Sequence, residues 1–175
     1  MNRLLFPVYV TLWLSLACCT VTAQTPFWEP SNGPYEGSVQ AMAFASNGMM
    51  FIGTPNGCFR SSDQGISWTI ANPSLRRVNV MSLLVTSNGT LIAGSRDSTI
   101  FRSTNWGDDW TSITLSGRIL SDLAEYSGNV FLAAKQGGVF RSSDDGITWR
   151  ITDTTALKAA TEIEVSNNYL VVGNY

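Results

Sequence analysis

The sequence predicts an all-β fold of short antiparallel strands, on three observations. Apolar residues come in runs of four or five and never at a sustained helical spacing. The runs are separated by turns rich in Asn, Asp and Gly. The whole pattern recurs about every 40 residues.

The first part of the repeat is a pair of apolar runs around a tight turn. Ala41-Met42-Ala43-Phe44 is followed by Asn47-Gly48 and by Met50-Phe51-Ile52-Gly53. Met81-Ser82-Leu83-Leu84 leads to Asn88-Gly89 and Leu91-Ile92-Ala93-Gly94. Ser121-Asp122-Leu123-Ala124 leads to Ser127-Gly128 and Val130-Phe131-Leu132-Ala133-Ala134. Glu162-Ile163-Glu164-Val165 leads to Asn167-Asn168 and Leu170-Val171-Val172-Gly173. Each is a β-hairpin signature, because Asn and Gly tolerate the positive φ of tight hairpin turns.

The second part follows three of these hairpins. Phe59-Arg60-Ser61, Phe101-Arg102-Ser103 and Phe140-Arg141-Ser142 each open a stretch ending at Trp68, Trp110 or Trp149. The final tryptophans follow one another at 42 and 39 residues. The Phe-Arg-Ser run reads as a third strand and the segment around the Trp as a fourth. Four short antiparallel strands in about 40 residues fit one blade of a β-propeller. About three and a half blades are expected over residues 24–175. The one stretch with a trace of helical spacing, Thr155 to Thr161, reads as a loop or a single turn.

The eight-residue core, Ser-x-Asp-x-Gly-x-Ser/Thr-Trp, resembles the Asp-box, or BNR repeat. That repeat occurs in sialidases, xyloglucan-cleaving enzymes, sortilin-type receptors and photosystem-II assembly-factor-like proteins. Ser61, Asp63, Gly65, Ser67 and Trp68 match it throughout, as do Ser142, Asp144, Gly146, Thr148 and Trp149. In the middle copy Ser103, Gly107 and Trp110 match, whereas Asn105 replaces the Asp and Asp109 the Ser/Thr. The resemblance implies a propeller and says little about activity.

The box residues also have a structural reading of their own. Asp63, Asn105 and Asp144 are short acceptors suited to turn N–H groups. Gly65, Gly107 and Gly146 permit a left-handed backbone. The tryptophans are expected to wedge between adjacent sheets, each contributing on the order of a few kcal/mol. A catalytic role for the box carboxylates is not expected, because equivalent groups on three separate blades cannot converge on one substrate. Arg60, Arg102 and Arg141 are expected to pack their stems and pair their heads with a neighbouring blade.

Composition narrows the function classes. Charged residues are 14% and apolar ones 44% of the 175, a balance for a folded core. With 13 acidic and 11 basic residues the net charge is −2, which gives no basic excess for nucleic acid. There is no histidine, which removes histidine metal sites and catalytic schemes with a histidine base. Asp144-Asp145-Gly146 lacks the spaced oxygen ligands of a calcium loop, so no metal or other cofactor is expected. Asn88-Gly89-Thr90 is formally a glycosylation sequon, but its place in a hairpin turn explains it better.

Residues 1–23 read as a signal peptide. Arg3 supplies a positive charge, and Leu4 to Cys19 is an apolar run too short to span a bilayer. Val21-Thr22-Ala23 offers the small residues of a cleavage site. The mature chain would then be exported, with no membrane span. Leu16-Ala17-Cys18 also resembles a lipid-attachment box, with Ser15 where leucine is usual, so a lipoprotein anchored through Cys18 is the alternative. Cys58 is then the one remaining cysteine, and its apolar strand setting makes it a core residue.

Trp28 sits where a fourth strand is expected, ahead of the first complete blade. A partner for it would follow Gly173-Asn174-Tyr175. The sequence therefore reads as the N-terminal part of a longer propeller whose remaining blades are partners of this segment.

Ligands of propellers commonly bind on the face carrying the fourth-to-first-strand links. Arg77, Arg118 and Lys158 recur there at 41 and 40 residues, with Arg76 beside the first. They form a candidate basic arc for a carboxylate or another anion. The arc resembles the three arginines with which sialidases bind a sugar carboxylate, but Lys158 replaces one of them and the chain lacks the sialidase Phe/Tyr-Arg-Ile-Pro segment. The leading expectation is a non-enzymatic module binding a protein or carbohydrate. The alternative is part of a glycoside hydrolase with a pair of carboxylates flanking the bond and part of the active site in further blades. Glu36, Asp97, Asp122, Asp153 and Glu162 are expected on or near the link-bearing face, no two of them paired by any signature.

Overall fold

The computed structural model describes residues 33, 38–153, 159–166 and 168–174. Residues 1–23, expected from the sequence to be a signal peptide, and Trp28, Glu36 and Lys158 lie outside the described residues. The rest fall within one compact unit, Ser31–Tyr175.

Fourteen strands are described, arranged as three four-stranded antiparallel sheets and one hairpin. The first blade is β1 (Ala41–Phe44), β2 (Met50–Thr54), β3 (Gly57–Ser61) and β4 (Thr69–Ile70). The second is β5 (Val80–Val85), β6 (Leu91–Ser95), β7 (Thr99–Ser103) and β8 (Thr111–Thr114). The third is β9 (Leu120–Tyr126), β10 (Asn129–Ala134), β11 (Gly138–Ser142) and β12 (Arg150–Asp153). The hairpin is β13 (Ala160–Ser166) with β14 (Tyr169–Asn174). Within every blade the strands pair in chain order. The first strands β1, β5, β9 and β13 stand side by side around a common centre. The expected three and a half blades are all present.

The turns show why the sequence takes this form. In the β1–β2 loop the Gly48 N–H donates to the Ala45 carbonyl (3.0 Å) and the Ala45 N–H to the Met49 carbonyl (2.9 Å). This is a three-residue loop with Gly48 left-handed at φ +86°, a geometry that glycine adopts without strain. The β5–β6 loop repeats it around Gly89. The β9–β10 turn is shorter, with Tyr126 opposite Asn129 across Ser127-Gly128.

The register moves the sequence alignment by one residue. Gly53 lies opposite Ala41 and Gly94 opposite Ser82, so Ala41 corresponds to Ser82 and not to Met81. The spacing from first to second strand is the same in both blades, and a bulge between Val80 and Ser82 lies just before the matched stretch.

The core lies between blades. Phe51, Leu75, Val80 and Leu91 fill the first junction. Ile92, Ile100, Leu120 and Leu132 fill the second, and Ala133, Val139, Ala160 and Ile163 the third. Each large side chain so buried contributes roughly 1.5–3 kcal/mol relative to exposure. Small residues on the second strands allow the close approach. A Cβ on Gly53 would lie 2.7 Å from Val80 Cγ1, and one on Gly94 2.4 Å from Ser82 Oγ and 3.2 Å from Leu120 Cβ.

The sequence does not announce the single 3₁₀ turn Pro73–Leu75 between β4 and β5. Asn72 caps it by accepting the Ser74 N–H (2.8 Å), and Leu75 is fully buried beneath it.

Candidate functional site

The three repeated segments that resemble the Asp-box, called boxes below, are turns between the third and fourth strands. In the first, Asp63 Oδ1 accepts from Ser61 Oγ (2.7 Å) and from the Ser67 N–H (2.9 Å), while Oδ2 accepts from Ser67 Oγ (2.5 Å). The Ile66 N–H reaches the Asp63 carbonyl at 3.3 Å across Gln64 and Gly65, both left-handed at φ +60° and +87°. That is a type I′ turn. The third box repeats the geometry through Asp144, Thr148, Asp145 and Gly146. The Ser67 and Thr148 groups, above all their hydroxyls, hold the Asp63 and Asp144 carboxyls down to about 2. Such groups stay ionised at neutral pH, with their lone pairs engaged in their own turns.

The middle box compensates for its two departures. Asn105 Oδ1 still accepts from Ser103 Oγ (3.0 Å) and the Asp109 N–H (2.9 Å). Its amide Nδ2 then donates to Asp109 Oδ2 (2.9 Å). Donor and acceptor have exchanged places relative to the other two boxes.

The tryptophans do less wedging than their size predicts. Trp68, Trp110 and Trp149 are half-buried, and each indole N–H closes its own box by donating to the carbonyl of Gly65, Gly107 or Gly146 (3.0–3.2 Å). Trp110 also packs on the first junction and Trp149 on the second, so each faces the preceding blade.

Arginines carry the polar links between blades. Arg60 Nη1 donates to the Trp106 carbonyl (3.0 Å) and to Asp108 Oδ1 (2.7 Å) in the second box. Arg102 Nε donates to the Asp145 carbonyl (2.8 Å) and Nη2 to Asp145 Oδ2 (3.2 Å) in the third. Thr86 Oγ1 (2.9 Å) and Thr90 Oγ1 donate to the same carboxylate. Arg141 differs, holding Asn129 Oδ1 of its own blade with Nε (3.0 Å) and Nη2 (2.8 Å). Cys58 is fully buried, and burial pushes its thiol up to about 12 against the opposing Arg60 charge, which makes it inert.

The first strands converge on a cavity of about 580 Å³. Gln40 and Met42, Met81, Asp122 and Glu162 bring one blade each to it, and Lys135 of the β10–β11 turn joins them. Asp122 is the most constrained group: Oδ1 accepts the Leu123 N–H (2.9 Å) and Oδ2 the Ile163 N–H of the next unit (2.9 Å). Burial raises its carboxyl above the usual range, the two N–H groups oppose this, and the Glu162 charge adds to the rise. Beside it Ser121 Oγ donates to the Ala133 (3.1 Å) and Ala160 (3.2 Å) carbonyls. No motif pointed to this pair; only the register brings Asp122 and Glu162 to one pocket.

Of the residues expected to form a basic arc, Arg76, Arg77 and Arg118 are described, each on a link between blades. The Arg77 N–H donates to the Asn56 carbonyl (3.0 Å), and Arg77 holds φ +67°. Arg76 and Arg77 are exposed. Arg118 lies over the next blade, its guanidinium 5.1 Å from the Phe140 ring centre and Nη1 donating to the Ser116 carbonyl (3.0 Å). Gly137 leaves room for it, since a Cβ there would meet Arg118 Nε at 2.3 Å. None of these three lines the central cavity. Asp97 is separate from it too, accepting from Ser95 Oγ in the β6–β7 turn.

No family model matches the chain. No curated protein sequence matches it either. Solved structures do match. An ancestral GH74 enzyme superposes with a TM-score of 0.69 at 21% identity, over 81% of this chain and 22% of its own. The extracellular domain of BT4673 from B. thetaiotaomicron gives 0.68 at 16% identity, over 82% of this chain and 21% of its own. YCF48, solved bound to a D1 peptide, gives 0.60 at 19% identity, over 74% of this chain and 45% of its own. At such identities the likeness is one of fold. This chain is therefore a β-propeller protein by architecture. What is described of it spans three full blades and half of a fourth, a minor part of the length of these three neighbours.

Proposed function

We propose that the chain is an exported β-propeller module that binds a protein or a glycan at the centre of its blades. One observation carries the reading: four successive units line a single cavity, and the first, third and fourth deliver polar side chains into it. Gln40, Asp122, Lys135, Thr161 and Glu162 supply donors, acceptors and both signs of charge there. Such a lining suits sugar hydroxyls or a polar peptide better than an apolar ligand. Arg76, Arg77 and Arg118 add positive charge on the interblade links, which favours carboxylate-bearing ligands. Export is supported by the apolar run after Arg3 and by the likeness to an extracellular domain. The test is a glycan and peptide array probed with wild type, Lys135→Ala and the Arg76→Ala/Arg77→Ala pair. Retention by wild type and loss in the variants is the expected result; no retained ligand, or equal retention by all three, would refute the reading.

A second reading, part of a glycoside hydrolase, is favoured by the shared pocket of Asp122 and Glu162 and by the raised Asp122 carboxyl. Against it, both Asp122 oxygens already accept backbone N–H groups that tie β13 to β9. Hydrolysis of aryl glycosides by wild type, abolished in Glu162→Gln, would favour the enzyme.

A further inference from the structure

We propose that Arg141 and Arg150 form a docking site for the acidic turn of a partner β-hairpin, with a carboxylate seated between the two guanidinium groups. The two residues are directly opposite each other on β11 and β12. Both are exposed, and both line a cavity of about 570 Å³. At the same place the first two blades pair Arg60 with Thr69 and Arg102 with Thr111. The third blade thus carries a second cation where the others carry a hydroxyl. Like charges directly opposite on a sheet repel. Among the described residues neither has a carboxylate partner, for the two ion pairs there are Arg60–Asp108 and Arg102–Asp145.

The chain itself shows what such a socket accepts. In the second blade the corresponding place is filled by Asp145 from the third box. Its carboxylate accepts from Arg102, Thr86 and Thr90, and its carbonyl accepts from Arg102 Nε. In the first blade Arg60 takes a box carbonyl and Asp108. Twice, then, this arginine holds an acidic box turn from a following unit. In the third blade Asn129 occupies the position of Thr90, since Val130 faces Ser142 as Leu91 faces Ser103. Arg141, Asn129 and Arg150 repeat the Arg102, Thr90 and Thr111 arrangement with one more positive charge. Arg141 spends Nε and one Nη2 hydrogen on Asn129 and keeps its Nη1 edge, which with the Arg150 fork suits a carboxylate, since charge-assisted hydrogen bonds are stronger than neutral ones. The site lies on the outer strands, away from the central cavity, and its test is independent of the function proposed above.

The probe is a cyclised hairpin peptide with the sequence of residues 139–149, which holds Asp144 and Asp145, labelled and titrated into the full chain. Saturable binding that weakens with salt is expected. Arg141→Ala/Arg150→Ala in the protein, or Asp145→Asn in the peptide, should each weaken it at least tenfold. Arg141→Lys should fall between, since it keeps the charge and loses the fork. Binding absent, binding equal for the Asp and Asn peptides, or binding unchanged in the double variant would each overturn the proposal. So would displacement of the peptide by an equal concentration of inorganic phosphate, which would make the pair a general anion site. An unchanged melting temperature in the double variant keeps a loss of binding distinct from a loss of fold.

Discussion

Asn105 donates its side-chain amide to the Asp109 carboxylate at 2.9 Å, reversing the direction in which Ser67 donates to Asp63 and Thr148 to Asp144. The two substitutions in the middle box are thus one exchange, and each is tolerable only with the other. Asn105→Asp alone would set two carboxylates against each other on an exposed turn, at a cost of about 1 kcal/mol. Asn105→Asp together with Asp109→Ser should restore wild-type stability. Urea unfolding of the two single variants and the double variant checks this, and additive losses would contradict it.

The box carboxylates set an acid limit on stability. Asp63 and Asp144 titrate at about 2 in the fold against an ordinary value of 3.8. Their folded values are depressed, so their contribution is complete above the unfolded value and fades as pH falls from about 4 through about 2. Asp63→Asn and Asp144→Asn should each flatten the melting curve in that window and leave its slope near neutrality unaltered.

Asp122 should behave in the opposite sense. Its carboxyl is raised, so the fold binds its proton more tightly than the unfolded chain does. Stability from this group is complete below 3.8 and declines as pH rises through the folded value. Asp122→Asn removes the burial penalty of the charge and should make the melting temperature less sensitive to rising pH in that region. A steeper dependence in the variant would contradict the assignment.

The interblade arginines should rank by the burial of their partners. Arg102 and Asp145 are 20% and 22% exposed, whereas Asp108 beside Arg60 is 61% exposed. Arg102→Ala should therefore cost about 2 kcal/mol and Arg60→Ala about 1 kcal/mol or less. Arg141→Ala, whose partner is a neutral amide in the same blade, should cost least. Chemical denaturation midpoints give the order directly.

Gly94 is a steric prediction. An added methyl would fall 2.4 Å from Ser82 Oγ and 3.2 Å from Leu120 Cβ, and Leu120 belongs to a packed junction. Gly94→Ala should destabilise by roughly 1–3 kcal/mol, while Gly48→Ser, in open space at the tip of a hairpin, should cost mainly backbone strain.

Much of this architecture was legible because its signals are local. Asn47-Gly48 and Asn88-Gly89 mark hairpins through backbone freedom alone, and the boxes mark themselves by spacing. Less legible were features that depend on a partner far along the chain. The register that pairs Ala41 with Gly53 and Ser82 with Gly94, and the bulge at Met81, leave no trace in composition. The meeting of Asp122 with Glu162, and of Arg102 with Asp145, joins residues about 40 positions apart across a junction. The modest burial of the tryptophans also escaped the sequence, because ring size predicts area and not how much of it a neighbouring blade covers.

The middle of each box holds Gln64, Trp106 or Asp145 at φ near +60°, a conformation glycine would take more easily. In the second and third boxes that conformation turns a carbonyl toward the preceding blade's arginine. A joint made by the main chain does not read the side chain it belongs to. That main-chain joint forms with an indole at Trp106 as it does with an acid at Asp145. Where the acid is present its carboxylate adds bonds to Arg102, Thr86 and Thr90, so the side chain sets the strength of the joint and not its existence.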